Sequence, residues 1–199
     1  MKYNSNALLE TLQADTRQII LTANQLLQLP PAVLQQQTAP DKWSVAQVLE
    51  HLNIYSRHYI IAIEQKLHLN QSGPNVSFSP GWLGNYFTKL MKPKEDNSIA
   101  KKMKAQKNAS PSTQPDAAEM LQEFIQQQHQ LLNLLQIAKS ANLEYIRIPI
   151  SISKLISLKL GDTFRFFIAH EQRHFLQIQH TLTASAQLIP EKQTQGNVR

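Results

Sequence analysis

The stretch Gly161-Asp162-Thr163-Phe164-Arg165-Phe166-Phe167-Ile168-Ala169-His170-Glu171-Gln172-Arg173-His174-Phe175-Leu176-Gln177-Ile178 decides how this chain is read. Phe164, Ile168, Phe175 and Ile178, with Leu182 beyond, recur at the three- and four-residue steps of an amphipathic helix. Gly161 is expected to break what precedes, and Asp162 to cap a helix running to about Ala186. His170 and His174 lie four apart, so both imidazoles leave one face, a turn apart, within reach of one ion. With seven histidines in 199 residues that spacing is weak alone. The pair flanks the core stripe, continued by Phe167, where a histidine needs partners and metal ligation supplies them.

Working outward, three more segments carry the same period. One runs from about Asn4 to Gln28, ended by Pro30 and Pro31. The next runs from Ser44 to about Leu69. Ser44 with Gln47 three residues on forms a capping box, and Val45, Leu49, Leu52, Ile60, Ile63 and Leu67 line its apolar stripe. The third runs from about Pro115 to Ala138. Four long helices predict an all-α four-helix bundle, one domain over residues 1–190 with a polar tail at 191–199. Two connections are long. Residues 71–114 hold one short helix around Trp82 to Met91; residues 142–160 hold Tyr145 to Ile152, a β-branched run suited to extended chain. Both are placed to roof one end of the bundle.

Composition narrows the function. There is no cysteine, so thiolate metal sites, cysteine nucleophiles and disulfides are excluded, and nitrogen and oxygen must hold any metal. No apolar run suits a signal peptide or a membrane span, and a soluble cytoplasmic protein is expected. The formal charge is +6. Lys89, Lys92, Lys94, Lys101, Lys102, Lys104 and Lys107 cluster in one proline-containing segment without interleaved aromatics. That reads as a solvated loop and not as a nucleic-acid interface.

A third ligand should come from another helix. His51 lies one residue off the stripe of the second helix, among Val48, Leu52 and Tyr55. His58 is two turns further, about 10 Å along the axis, too far to share the ion. His68 and His129 read as surface residues. His170 to His174 also spells H-E-x-x-H, the metalloprotease string. Gln177 stands where the longer form of that motif needs glycine, and His180, on a continuing helix, is rotated by about 240°. Too little chain follows for a protease lower subdomain, so that reading is set aside. Glu171, about 100° around from His170, could support a ligand, form an ion pair at the core edge, or act as a base through water.

Two motifs together resemble a known family. Lys42-Trp43-Ser44-Val45-Ala46-Gln47-Val48-Leu49-Glu50-His51-Leu52 resembles the second-helix entry of the DinB superfamily. Leu160 to Phe167, then His170-Glu171-Gln172-Arg173-His174-Phe175-Leu176-Gln177-Ile178, resembles its fourth helix. The resemblance implies an up-down-down-up bundle with a long crossover between helices two and three. It implies one nickel or zinc ion held by His51, His170 and His174, and commonly a homodimer. It implies a small-molecule substrate, in some relatives a low-molecular-weight thiol, and an activity of hydrolase or thiol S-transferase type. The carboxylate usual near the end of the family's helix-two motif is replaced here by the neighbourhood of Tyr55 and His58. Tyr55 and Glu171 are the candidate catalytic residues, although Tyr55 reads more readily as a core-edge tyrosine. Trp43 and Trp82 read as packing residues near the mouth. The rival is a non-catalytic metal-binding or stress-related bundle that acts through protein interaction.

Overall fold

Ser44 and Gln47 close the expected capping box. The Ser44 hydroxyl accepts from the Gln47 amide at 3.2 Å, and Gln47 Oε1 accepts from the Ser44 amide at 3.0 Å. In this computed structural model, which describes residues 2–94, 96, 98, 104–151 and 153–187, the helix they start is α3, Val45–His68. Asn4 caps α1, Ser5–Leu26, by accepting from the Ala7 amide. Pro31 does not end that helix but opens a short one, α2, Pro31–Gln35, at a first-turn position that needs no amide proton. α4 spans Trp82–Met91 as expected. Asp116 caps α5, Ala117–Ile137, through the Glu119 amide. The last helix, α6, covers Leu160–Gln187.

α3 packs on α5 and α6, and α1 packs on the same two. The core between them holds Leu9, Leu49, Leu52, Phe124, Phe164 and Phe167, each essentially inaccessible. The fold is mostly helical, with two short antiparallel strand pairs added. Tyr3–Asn4 (β1) pairs with Ser77–Phe78 (β2). The extended run materialises as β3, Arg147–Ile150, and it pairs with an unanticipated β4, Ser153–Lys159. The expected tail at 191–199, with Lys101, Lys102 and Ile152, lies outside the described residues. Among those described, no helix is long and apolar enough to cross a membrane.

Two expectations for α6 need correction. Gly161 does not break the chain and Asp162 does not cap it, because the helix begins at Leu160, directly after β4. Gly161 is required by close approach instead: a Cβ there would sit 2.7 Å from the Phe78 ring. The Asp162 carboxylate accepts from the Gly81 amide at 2.7 Å and from Arg165 at 3.1 Å, which ties the start of α4 to α6. The first half of α6 is also buried all round, not along one stripe. α4 and the β3–β4 hairpin cover the faces that a simple bundle leaves to water.

Candidate metal centre

His51 stands in the second turn of α3, behind the Ser44 cap, and His170 and His174 stand one turn apart on α6. The three rings are buried. One nitrogen from each lies within 4.8 Å of the others, and these histidines are a group that could hold a metal ion. His68, His129 and His180 are exposed. His58 instead meets the Pro149 carbonyl at 3.2 Å. His51, His170 and His174 thus lie together, on two different helices.

Hydrogen bonds decide which nitrogen two of the rings offer. His51 Nδ1 lies 2.7 Å from the Ala109 carbonyl oxygen, which can only accept, so Nδ1 carries the proton and Nε2 keeps its lone pair. His174 Nδ1 makes the equivalent bond to Gln177 Oε1 at 2.9 Å. Fixing the ring from behind in this way orients a ligand and raises its basicity. His170 Nε2 and His174 Nε2 face each other at 3.1 Å, while His170 Nδ1 has no partner among the described residues.

Electrostatics favour the neutral rings that ligation requires. Burial drives the His51 pKa below its usual value, against the bond to Ala109. Burial, reinforced by neighbouring His51, takes His174 down to about 3. His170 is held well below its ordinary range by burial, then by His174 and His51. All three present lone pairs at neutral pH. Two lone pairs 3.1 Å apart repel unless a proton or a cation lies between them. Two nitrogens each about 2.1 Å from one ion, at an angle near 95°, stand about 3.1 Å apart. The donor set, its tautomers and its spacing therefore fit a divalent metal.

Around this cluster lies a cavity of ≈ 840 Å³, lined by Trp43, His51, Tyr55, His170, Arg173 and His174 among others. The Tyr55 ring centroid is 4.8 Å from that of His170 and 5.0 Å from that of His51. Burial raises the Tyr55 phenol pKa further above neutral. Trp43 packs on His51 at 5.0 Å and does reach the mouth. Trp82 does not pack: it is 82% exposed on α4. Of the basic segment, Lys104 lines the cavity.

Glu171 behaves differently. It is fully buried, and its Oε1 accepts from Gln128 Nε2 on α5 at 2.6 Å, while Oε2 has no partner among the described residues. Burial lifts its pKa to about 8 against the opposing Gln128 bond. The Gln128 bond points the carboxyl into the core, toward α5. A pKa raised above the unfolded value means the native state holds a proton that the unfolded chain has lost. Stability is then full below about pH 4.5 and falls as pH rises through about 8. In metal-free protein, Glu171→Gln should raise the melting temperature relative to wild type, with the gain larger at about pH 8 than at about pH 5. Melts at both values check this; a gain independent of pH would refute the buried acid.

The structure adds three residues that the sequence reading did not assign. Gln177 enters that reading only as a missing glycine, although its place three residues after His174 on a helix is a usable signal. Ala109 contributes a backbone carbonyl, which carries no side-chain signal. Arg173 lies between His170 and His174 in sequence and lines the cavity.

No curated protein and no solved structure matches the chain. The family model of the DinB superfamily matches over residues 9–178. That span takes in the capped helix carrying His51 and the helix carrying His170 and His174, and the chain belongs to the DinB superfamily.

Proposed function

We propose that the protein is a metal-dependent enzyme, a hydrolase or low-molecular-weight-thiol S-transferase. Its four long helices form an up-down-down-up bundle, and one nickel or zinc ion is held by His51, His170 and His174. The observation that carries this reading is the pair of Nε2 atoms 3.1 Å apart, with the His51 and His174 Nδ1 atoms turned away to acceptors, at the wall of a cavity of ≈ 840 Å³. A cavity of that size accommodates a small-molecule substrate.

A divalent ion in this position supplies Lewis acidity, which lowers the pKa of a water or thiol nucleophile toward neutrality. The chain supplies the rest. Ala109 and Gln177 hold two rings in the tautomer that points Nε2 at the ion. Three neutral protein ligands leave coordination positions for substrate, as catalytic sites do and closed structural sites do not. Tyr55 keeps its phenol proton, and its ring, against His51 and His170, forms part of the cavity wall. Trp43 narrows the approach to His51 and limits water there.

The test is turnover. Protein purified without a histidine tag is stripped with chelator, reloaded with nickel or zinc, and screened with low-molecular-weight thiols against electrophiles and with simple esters. Activity that vanishes on stripping and returns on reloading is expected. A chain that binds its ion tightly yet turns over none of these would favour a non-catalytic bundle.

A further inference from the structure

The acceptor that orients His51 sits on a strap. Ala109 ends a single 3-10 turn, Lys107–Ala109, in the long connection between α4 and α5, and its carbonyl oxygen lies 2.7 Å from His51 Nδ1. Three residues on, the strap is tied to α3 itself. The Ser112 amide and hydroxyl both donate to Glu50 Oε2, at 2.7 Å and 2.9 Å. The Gln47 side-chain amide donates to the Ser112 and Thr113 carbonyls, at 3.0 Å and 3.1 Å. Glu50 and His51 stand three and four residues after Gln47, so one side of α3 carries both ties and the histidine. The link from tie to carbonyl is short and stiff. Pro111 has its φ fixed by its ring and biases Ser110 toward extended backbone, which Ser110 adopts with φ −77° and ψ 134°. Few torsions remain by which Ala109 could swing while Ser112 stays held. Gln47 also closes the cap of α3, whereas among the described residues the Glu50 carboxylate hydrogen-bonds Ser112 alone.

We propose that Glu50 is a positioning residue of the metal centre: by holding Ser112 it keeps the Ala109 carbonyl on His51 Nδ1, and so fixes which nitrogen His51 offers to the ion. An imidazole with no fixed acceptor carries its proton on either nitrogen. A ring protonated on Nε2 has no lone pair there to give, so each exchange of tautomer removes one ligand from the set. Glu50 touches neither the ion nor a substrate, and it acts through the strap alone. Its effect on the ion rests on the metal reading above; its effect on the His51 ring does not.

The experiment uses the full chain and two readouts. In stripped protein, nitrogen-15 spectra of the imidazoles report where His51 carries its proton; in titrations with nickel, calorimetry reports affinity. Wild type should show His51 protonated on Nδ1 only. Glu50→Ala should show a mixture of tautomers and bind nickel about tenfold more weakly, the lower end of the range for groups that orient a ligand. Glu50→Gln keeps an oxygen that accepts from Ser112 and should restore both readouts. Arg57→Ala removes two 2.6 Å bonds from Arg57 of α3 to Glu123 of α5 and should change neither. A His51 that stays on Nδ1 in Glu50→Ala, or an unchanged nickel affinity there, overturns the proposal. So does Glu50→Gln as impaired as Glu50→Ala, or Arg57→Ala with the same losses, since these would point to charge or to general loosening of α3. Should Glu50→Ala fail to fold, Ser112→Ala carries the test, because it removes one of the two donors and changes nothing on α3. A smaller shift in the same direction supports the proposal, and no shift in either readout overturns it. Failure of wild type to hold nickel counts against the three-histidine ion instead, and the tautomer of His51 then decides the role of Glu50.

Discussion

His170→Ala should empty the centre. Wild-type protein, purified without a tag and dialysed, is expected to carry about one divalent ion per chain, and the variant close to none. Changes to groups that merely orient a ligand cost about 10- to 100-fold in metal affinity, so removal of a ligand should cost at least the upper figure. Gln177→Ala measures the lesser effect. It leaves all three ligands in place but removes the acceptor that fixes His174 Nδ1, so its loss should fall in the range of about 10- to 100-fold. His58→Ala, whose ring faces the Pro149 carbonyl, should leave the metal content alone. Elemental analysis after equilibrium dialysis reads all three. Equal metal in wild type and His170→Ala would end the proposal that these rings share an ion. The loaded wild type should also melt higher than the stripped protein, because an ion that binds only the native chain adds its binding free energy to folding. His170→Ala should show no such rise.

Gly84→Ala should destabilise the protein, although alanine is the better helix former by about 1 kcal/mol. Gly84 is in the first turn of α4, against Asp162 of α6. A Cβ there would lie 2.6 Å from Asp162 Oδ2 and closer still to Cγ and Cβ. Asp162 has no easy retreat. It is buried, it accepts from the Gly81 amide, and it is paired with Arg165, whose other contacts include Tyr3 and Asn85. Overpacking of this kind costs about 1–3 kcal/mol, and here it also threatens a buried ion pair, so the steric term exceeds the gain in propensity. For a chain of this size the net loss corresponds to a fall of several degrees in melting temperature. Gly73→Ala provides the neutral comparison, because its added Cβ would meet nothing within 4 Å. A Gly84→Ala protein that melts at or above wild type would show that α4 can move off α6 without penalty.

Much of this molecule is legible in one dimension because much of it is local. The capping box at Ser44 and Gln47 is a contact over three residues. The His170–His174 spacing is a property of one helical turn, and both appear where the string of residues puts them. The stripe assigned to α6 is less faithful. Asp162, Arg165, Glu171 and Arg173 are ionisable residues of types usually found at the surface, yet all four are buried. Asp162 is met by the start of α4 and Glu171 by α5, both from other parts of the chain, and a hydropathy pattern cannot see these contacts.

Glu171 shows the same limit at the site. Its position in H-E-x-x-H leaves several roles open, and only the packing of α5 on the bundle turns it toward Gln128. The choice of nitrogen on His51 depends on a carbonyl 58 residues away. Helix periods, caps and the order of candidate ligands are set by neighbours in the chain and can be read from it. Tautomer, burial and the charge of the cavity wall arise where distant segments exclude water together. No stretch of the chain encodes that exclusion alone, and so only the assembled fold decides it.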